Sequence, residues 1–142
     1  FGFSWVKRTN EDNVDLNRNF IYWSGARPET PGYDAIADLL VPGEWTQEER
    51  DRTDVLLLEW FASMSPEDAQ QIVSGGQYGR VDGVFYGGTE PVWSHRWLRS
   101  WCTEHLAVAR RVAIIDIHTG LGPWGHGELI SAAAPGSADT TI

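Results

Sequence analysis

Cysteine is nearly absent from this 142-residue chain. Cys102 is the only one, which excludes an internal disulfide and a cysteine-based zinc knuckle. Long apolar runs are missing too: stretches such as 55–58 and 112–115 fall far short of the ~20 apolar residues of a membrane helix, so no membrane anchor is expected. Lysine is scarce, Lys7 being the only one, and the other basic side chains are arginines. Acidic residues outnumber basic ones by 20 to 11, and the net charge of −9 repels phosphate backbones, so a nucleic-acid partner is not expected. Phe1 opens the chain with neither an initiator methionine nor a charged-then-apolar leader, which reads as a cut or processed end. One cysteine suits either redox setting, so the compartment stays open, with a soluble cytoplasmic protein slightly favoured.

What is present has the composition of one folded domain, with 42% hydrophobic and 22% charged residues. Phe1, Phe3 and Trp5 alternate with small residues, the period of a short strand. A helix is expected from Tyr33 to Val41, ended by Pro42-Gly43, with Ile36, Leu39 and Leu40 on one face. Thr46 and Glu49 match a capping box for a second helix, whose Leu57, Phe61 and Met64 form a core-facing stripe. Ser65-Pro66-Glu67-Asp68 starts a third, which Gly75-Gly76 ends. After a loop over 77–92, Ser94 is placed to cap a helix reaching about Arg111. Its Trp93, Trp97 and Trp101 read as core or interface packing. The β-branched run from Val112 to Ile117 reads as a buried strand.

Two clusters carry groups capable of chemistry. His118 follows the expected strand directly, and in open α/β sheets the ligand crevice lies beyond the strands' carboxyl ends. There it suits a metal ligand or general base, with Asp116 two residues back; the alternative, favoured by position alone, is a histidine satisfied by loop carbonyls. The second cluster is Asp15-Leu16-Asn17-Arg18-Asn19-Phe20, with Arg8 and Asn10 upstream. A planar guanidinium beside a side-chain amide grips a carboxylate well, and a structural Arg–Asp pair explains the same residues.

Taken together, these segments resemble the zinc carboxypeptidases. Asp15-Leu16-Asn17-Arg18-Asn19 is similar to their Asp-x-Asn-Arg-Asn segment, and Arg8-Thr9-Asn10 to the Arg-x-Asn before it. Gly88-Thr89-Glu90-Pro91, a helix, and Ile115-Asp116-Ile117-His118 resemble their Ser/Thr-Glu-Pro, helix and histidine-ended strand. The longer wording of Asn10 to Phe20, Tyr86 to Pro91 and Asp116 to Gly122 resembles a domain-of-unknown-function family in that clan. That family is allied to the succinylglutamate desuccinylase/aspartoacylase group. The resemblance spans almost the whole chain and implies an α/β fold, a mixed sheet flanked by helices, incomplete in this chain.

The resemblance also implies roles. His118 is similar to the third zinc ligand, and Arg8 to the arginine that stabilises the oxyanion. Asn17 and Arg18 resemble the pair that holds the substrate carboxylate, and Asp15 the acid that orients a zinc-bound histidine. Zinc in such a site lowers the pKa of its water to about 7 and polarises the scissile carbonyl. A single preorganised donor to the oxyanion is worth roughly 3–4 kcal/mol. The implied activity is hydrolysis of an amide bond next to a free carboxylate, in a small peptide or an N-acyl amino acid. A non-catalytic carboxylate- or peptide-binding module is the alternative from another class.

The chain departs from that pattern in two respects. The family's first two zinc ligands come from His-x-x-Glu, whereas His95, His105, His118 and His126 are followed three residues on by Leu98, Val108, Leu121 and Leu129. His126 and Glu128 beside His118 match no recognised zinc spacing, and Glu90 reads as a helix-start acid rather than the general base. Residues 1–142 are therefore expected to be part of a catalytic domain, lacking the upstream His-x-x-Glu segment and a later catalytic glutamate. One histidine is too few for a catalytic zinc that takes three protein ligands. The purified chain should hold well under one zinc per molecule by metal analysis and cleave no peptide; one zinc per chain would reveal ligands other than those named here.

Overall fold

The computed structural model describes residues 6–115, 117 and 123–126. The chain divides into two compact units, Phe1–Val108 and Ala109–Ile142.

Five helices build the described part of the first unit: α1 (Leu16–Asn19), α2 (Tyr33–Leu40), α3 (Gln47–Ala62), α4 (Pro66–Ser74) and α5 (Trp93–Leu106). Each start has a local cause. Asp15 caps α1 by accepting from the backbone N–H groups of Asn17 and Arg18. Thr46 caps α3, its hydroxyl accepting from Glu49 N at 3.1 Å. The return half of the expected box is missing, because the Glu49 carboxylate turns to Arg52 instead. Ser65 caps α4 with Pro66 in its first turn, and Gly76 follows the helix at φ +100, a left-handed turn that favours glycine.

Helix α5 differs from the sequence expectation at both ends. It begins at Trp93 with Val92 in the cap position, not Ser94, and stops at Leu106 rather than near Arg111. Valine has no side-chain acceptor, but its own N–H is satisfied from far away by Asn19 Oδ1 at 3.0 Å. The tryptophan stripe is not core: Trp93, Trp97 and Trp101 are 59, 61 and 40% exposed, and the helix buries His95 instead. The stripe on α3 is likewise only partly covered, Phe61 being exposed and Leu57 half-buried, while Met64 lies beyond the end of the helix.

Helix α2 packs on α3, and α1 packs on α5. The buried apolar residues among those described are Val14, Tyr33, Ile36, Ala37, Ala69 and Tyr86. As many polar residues are buried beside them: Asn10, Asp15, Asn19, Thr53, Gln77 and His95. Hydrogen bonding therefore shares the work of cohesion with apolar burial. Asn19, fully enclosed, is the centre of that network. Its Nδ2 donates to the carbonyls of Gly87 (2.8 Å) and Glu90 (2.9 Å), and its own carbonyl accepts from Trp23 Nε1 (3.0 Å).

Among the described residues β pairing is limited to two isolated bridges, Thr9 with Asp15 and Gln77 with Tyr86. The expected strand at Phe1, Phe3 and Trp5 lies outside the described residues. In the second unit, residues 111–115 and 117 form no strand, and Val112, Ile114, Ile115 and Ile117 are 50 to 87% exposed. β-branched side chains favour a strand only where a neighbouring ladder and a packing surface receive them.

Truncating Asn19 leaves several buried donors and acceptors without partners, each worth ~1–3 kcal/mol. Asn19→Ala should lower unfolding free energy by about 3 kcal/mol in denaturant titration, whereas Ser65→Ala, which removes one cap, should cost about 1 kcal/mol.

Candidate functional site

The turn before α1 aims its polar groups through an asparagine. Asn10 Oδ1 accepts from the N–H groups of Asp12 (3.1 Å) and Val14 (2.8 Å), and Asp15 N donates to Tyr86 O at 2.7 Å. That contact buries Asp15 at the end of the turn, its side chain only 2% exposed. Oδ1 caps α1, while Oδ2 lies 3.0 Å from Arg8 Nε, paired by charge although the N–H is not aimed at the oxygen.

Arg8 and Arg18 meet at one aromatic ring. The guanidinium carbons lie 4.9 and 5.8 Å from the centroid of Phe85, within cation–π range. Phe85 adopts φ +54, a conformation bulky side chains rarely take, and such strain collects at functional sites. The stem of Arg18 rests against Gly76, where an added Cβ would stand 2.7 Å from Arg18 Cδ, so only glycine fits. The Arg18 carbonyl accepts from the Tyr78 hydroxyl at 2.7 Å, and its buried Nε has no acceptor among the described residues. The outcome is two guanidiniums beside one buried carboxylate, a local excess of positive charge within an acidic protein. Asn17, on the first turn of α1, is exposed beside them.

Four residues singled out from the sequence, Arg8, Asp15, Asn17 and Arg18, thus come together, and the Arg–Asp pair foreseen as their structural explanation is present as Arg8 with Asp15. His118 and Asp116 lie outside the described residues, as does Glu128. Glu90 contributes its backbone carbonyl to the Asn19 network and leaves its side chain exposed. Among the described residues no group of three or more His, Cys, Asp or Glu side chains could hold a metal ion. Asp15, the buried carboxylate of the cluster, is engaged by backbone N–H groups and Arg8, so the described residues alone do not make a zinc site.

Several supporting residues were not foreseen. His95, 2% exposed, stacks on Phe20 at 4.5 Å, and its Nδ1 faces two acceptors, Asn19 O (2.9 Å) and Asn19 Oδ1 (3.2 Å). Nδ1 therefore carries the proton in the neutral ring. The position of Asn19 next to Arg18 was the available signal for this pair. Phe85 and Gly76 meet the site only through long-range contacts and had none.

Burial raises the Tyr78 phenol above its ordinary pKa, aided by Asp15 and opposed by the Arg18 charge. Burial likewise raises Tyr33, whose hydroxyl donates to Val84 O at 3.0 Å. The folded state then holds these protons more tightly than the unfolded chain does, so their contribution is complete below the ordinary value of 10.0 and declines as pH climbs past it. In ultraviolet titration Tyr33 and Tyr78 should ionise late, and Tyr78→Phe should remove its share of the late step.

No curated protein and no solved structure matches the chain. A family profile does, over residues 1–141, a span that takes in the arginine pair, Asp15, Asn17, the Asn19 network and His118. The chain belongs to the family described as Protein of unknown function (DUF2817).

Proposed function

We propose that this chain carries the carboxylate-anchoring and oxyanion-stabilising groups of an amide-bond hydrolase of the zinc carboxypeptidase type. The substrate would be a small peptide or N-acyl amino acid cleaved next to its free carboxylate. The observation that supports this reading is the convergence of Arg8 and Arg18 on the Phe85 ring with only Asp15 to balance them. An anion brought to that place would neutralise the surplus charge.

Arg18 offers a planar fork suited to a bidentate carboxylate, and its seat on Gly76 limits the side-chain freedom lost on binding. The exposed Asn17 amide lies on the same turn and supplies a further donor. Arg8, more than half exposed and held by charge to Asp15, is free to meet negative charge that develops on a carbonyl oxygen during attack. The zinc ion, with His118 as a ligand, and the α/β mixed sheet belong to this proposal on the strength of the motif resemblance alone.

Titrating the protein with N-acetyl-L-phenylalanine and with its amide tests the anchor. The carboxylate should bind at least tenfold more tightly than the amide, and Arg18→Ala should erase the difference. Equal binding of both compounds would overturn the reading. In a complete enzyme that also carries the upstream His-x-x-Glu segment and turns substrate over, Arg8→Ala should lower kcat about 10²–10³-fold with little change in KM. In that complete enzyme, turnover of N-acyl amino acids but not peptides would select the deacylase version, and carboxylate binding without turnover in the presence of zinc would select a binding module.

A further inference from the structure

Residues 77–87 form a loop whose two ends meet at Gln77. Gln77 N donates to Phe85 O (3.1 Å), and Gly87 N returns to Gln77 O (2.8 Å). The buried Gln77 side chain fills the loop: its Oε1 accepts from Gly79 N and Arg80 N, and its Nε2 donates to Arg80 O and Val84 O. From other segments, Tyr33 donates its hydroxyl to Val84 O and Asp15 its N–H to Tyr86 O. Both neighbours of Phe85 are therefore anchored. Compact loops packed by their own side chains are frequent places of function.

This anchoring keeps Phe85 at φ +54, a backbone conformation that its Cβ disfavours. Such strain persists only where the surroundings over-determine it. Here it places the ring centroid 4.9 and 5.8 Å from the Arg8 and Arg18 guanidinium carbons. An aromatic face attracts a guanidinium without using any of its five N–H donors. Asp15 pairs with Arg8 at one oxygen, and among the described residues no carboxylate pairs with Arg18. The ring thus steadies two cations whose terminal N–H groups remain available to an anion.

We propose that Phe85 is the positioning residue that gives this site its preference for a carboxylate over a neutral amide. The ring holds both guanidiniums where one anion can meet them, and the hydrogen bonds of the loop hold the ring. The proposal rests on the carboxylate anchor of the hydrolase reading and adds the residue that orients it.

Titration calorimetry of the full chain with N-acetylglycine and N-acetylglycinamide tests this role, since neither probe has a side chain to pack on the ring. Phe85→Ala and Phe85→Gly should each bind the acid about tenfold more weakly than the wild type, with the amide unaffected. Phe85→Tyr, which keeps the aromatic face, should bind the acid within about twofold of the wild type. A merely structural residue would give neither the rescue by tyrosine nor a loss confined to the acid. Phe85→Gly should also melt above Phe85→Ala, because glycine takes φ +54 freely; the ordinary order, alanine above glycine, would overturn the strained placement. A preference for the acid that survives in both ringless variants would overturn the role of Phe85 and leave the anchor standing. No preference in the wild type would overturn the hydrolase reading and this role with it. Where the ringless variants fail to fold, NMR of the wild type decides. The Nε–H protons of Arg8 and Arg18 should lie upfield of those of a free arginine, and unshifted ones would overturn the proposal.

Discussion

The first unit depends on one buried side-chain amide. Asn19 ends α1 and at the same time satisfies the chain at Gly87, Glu90, Val92 and His95, some seventy residues away in sequence. An asparagine offers two donors and two acceptor lone pairs from a compact group, and here they go to three backbone groups and the His95 ring, which would otherwise be orphaned. The apolar interior is small, so the specificity of this junction comes from geometry rather than bulk. Gly88, at φ +91, lets the second segment approach, since an added Cβ would stand 3.0 Å from Asn19 Nδ2.

That junction also decides where the charges fall. Because Asn19 fixes the end of α1, the preceding Arg18 is directed to Phe85, and Asp15 at the start of the helix is drawn under Tyr86 O and toward Arg8. The acid, the two guanidiniums and the ring are thus consequences of a four-residue helix held at both ends. A cluster on so short an element would fray without long-range bonds, and Asn19 supplies them.

What could be read from the chain divides along the range of the forces involved. Ser65-Pro66 and Thr46 announce their helices because the capping bond is made within three residues. Arg8, Asp15, Asn17 and Arg18 could be picked out because a short motif gathers them before any folding is considered. The start of α5 could not, since Val92 is capped by an asparagine from another segment. Trp93, Trp97 and Trp101 read as core or interface packing, and the first does not hold, because hydropathy does not say which face of a helix meets the interior; the face with His95 does. Phe85 gave no local hint, as its importance lies in what sits above it and in a backbone angle unusual for its type.

Gly76 joins two features that are otherwise discussed apart. The same left-handed residue that ends α4 leaves the gap into which the Arg18 stem fits. The exit of one helix and the aim of one cation are therefore mechanically a single joint. A shift of the α4 terminus would swing the guanidinium with it, so a change in how this helix ends is felt at the anion-facing end of Arg18.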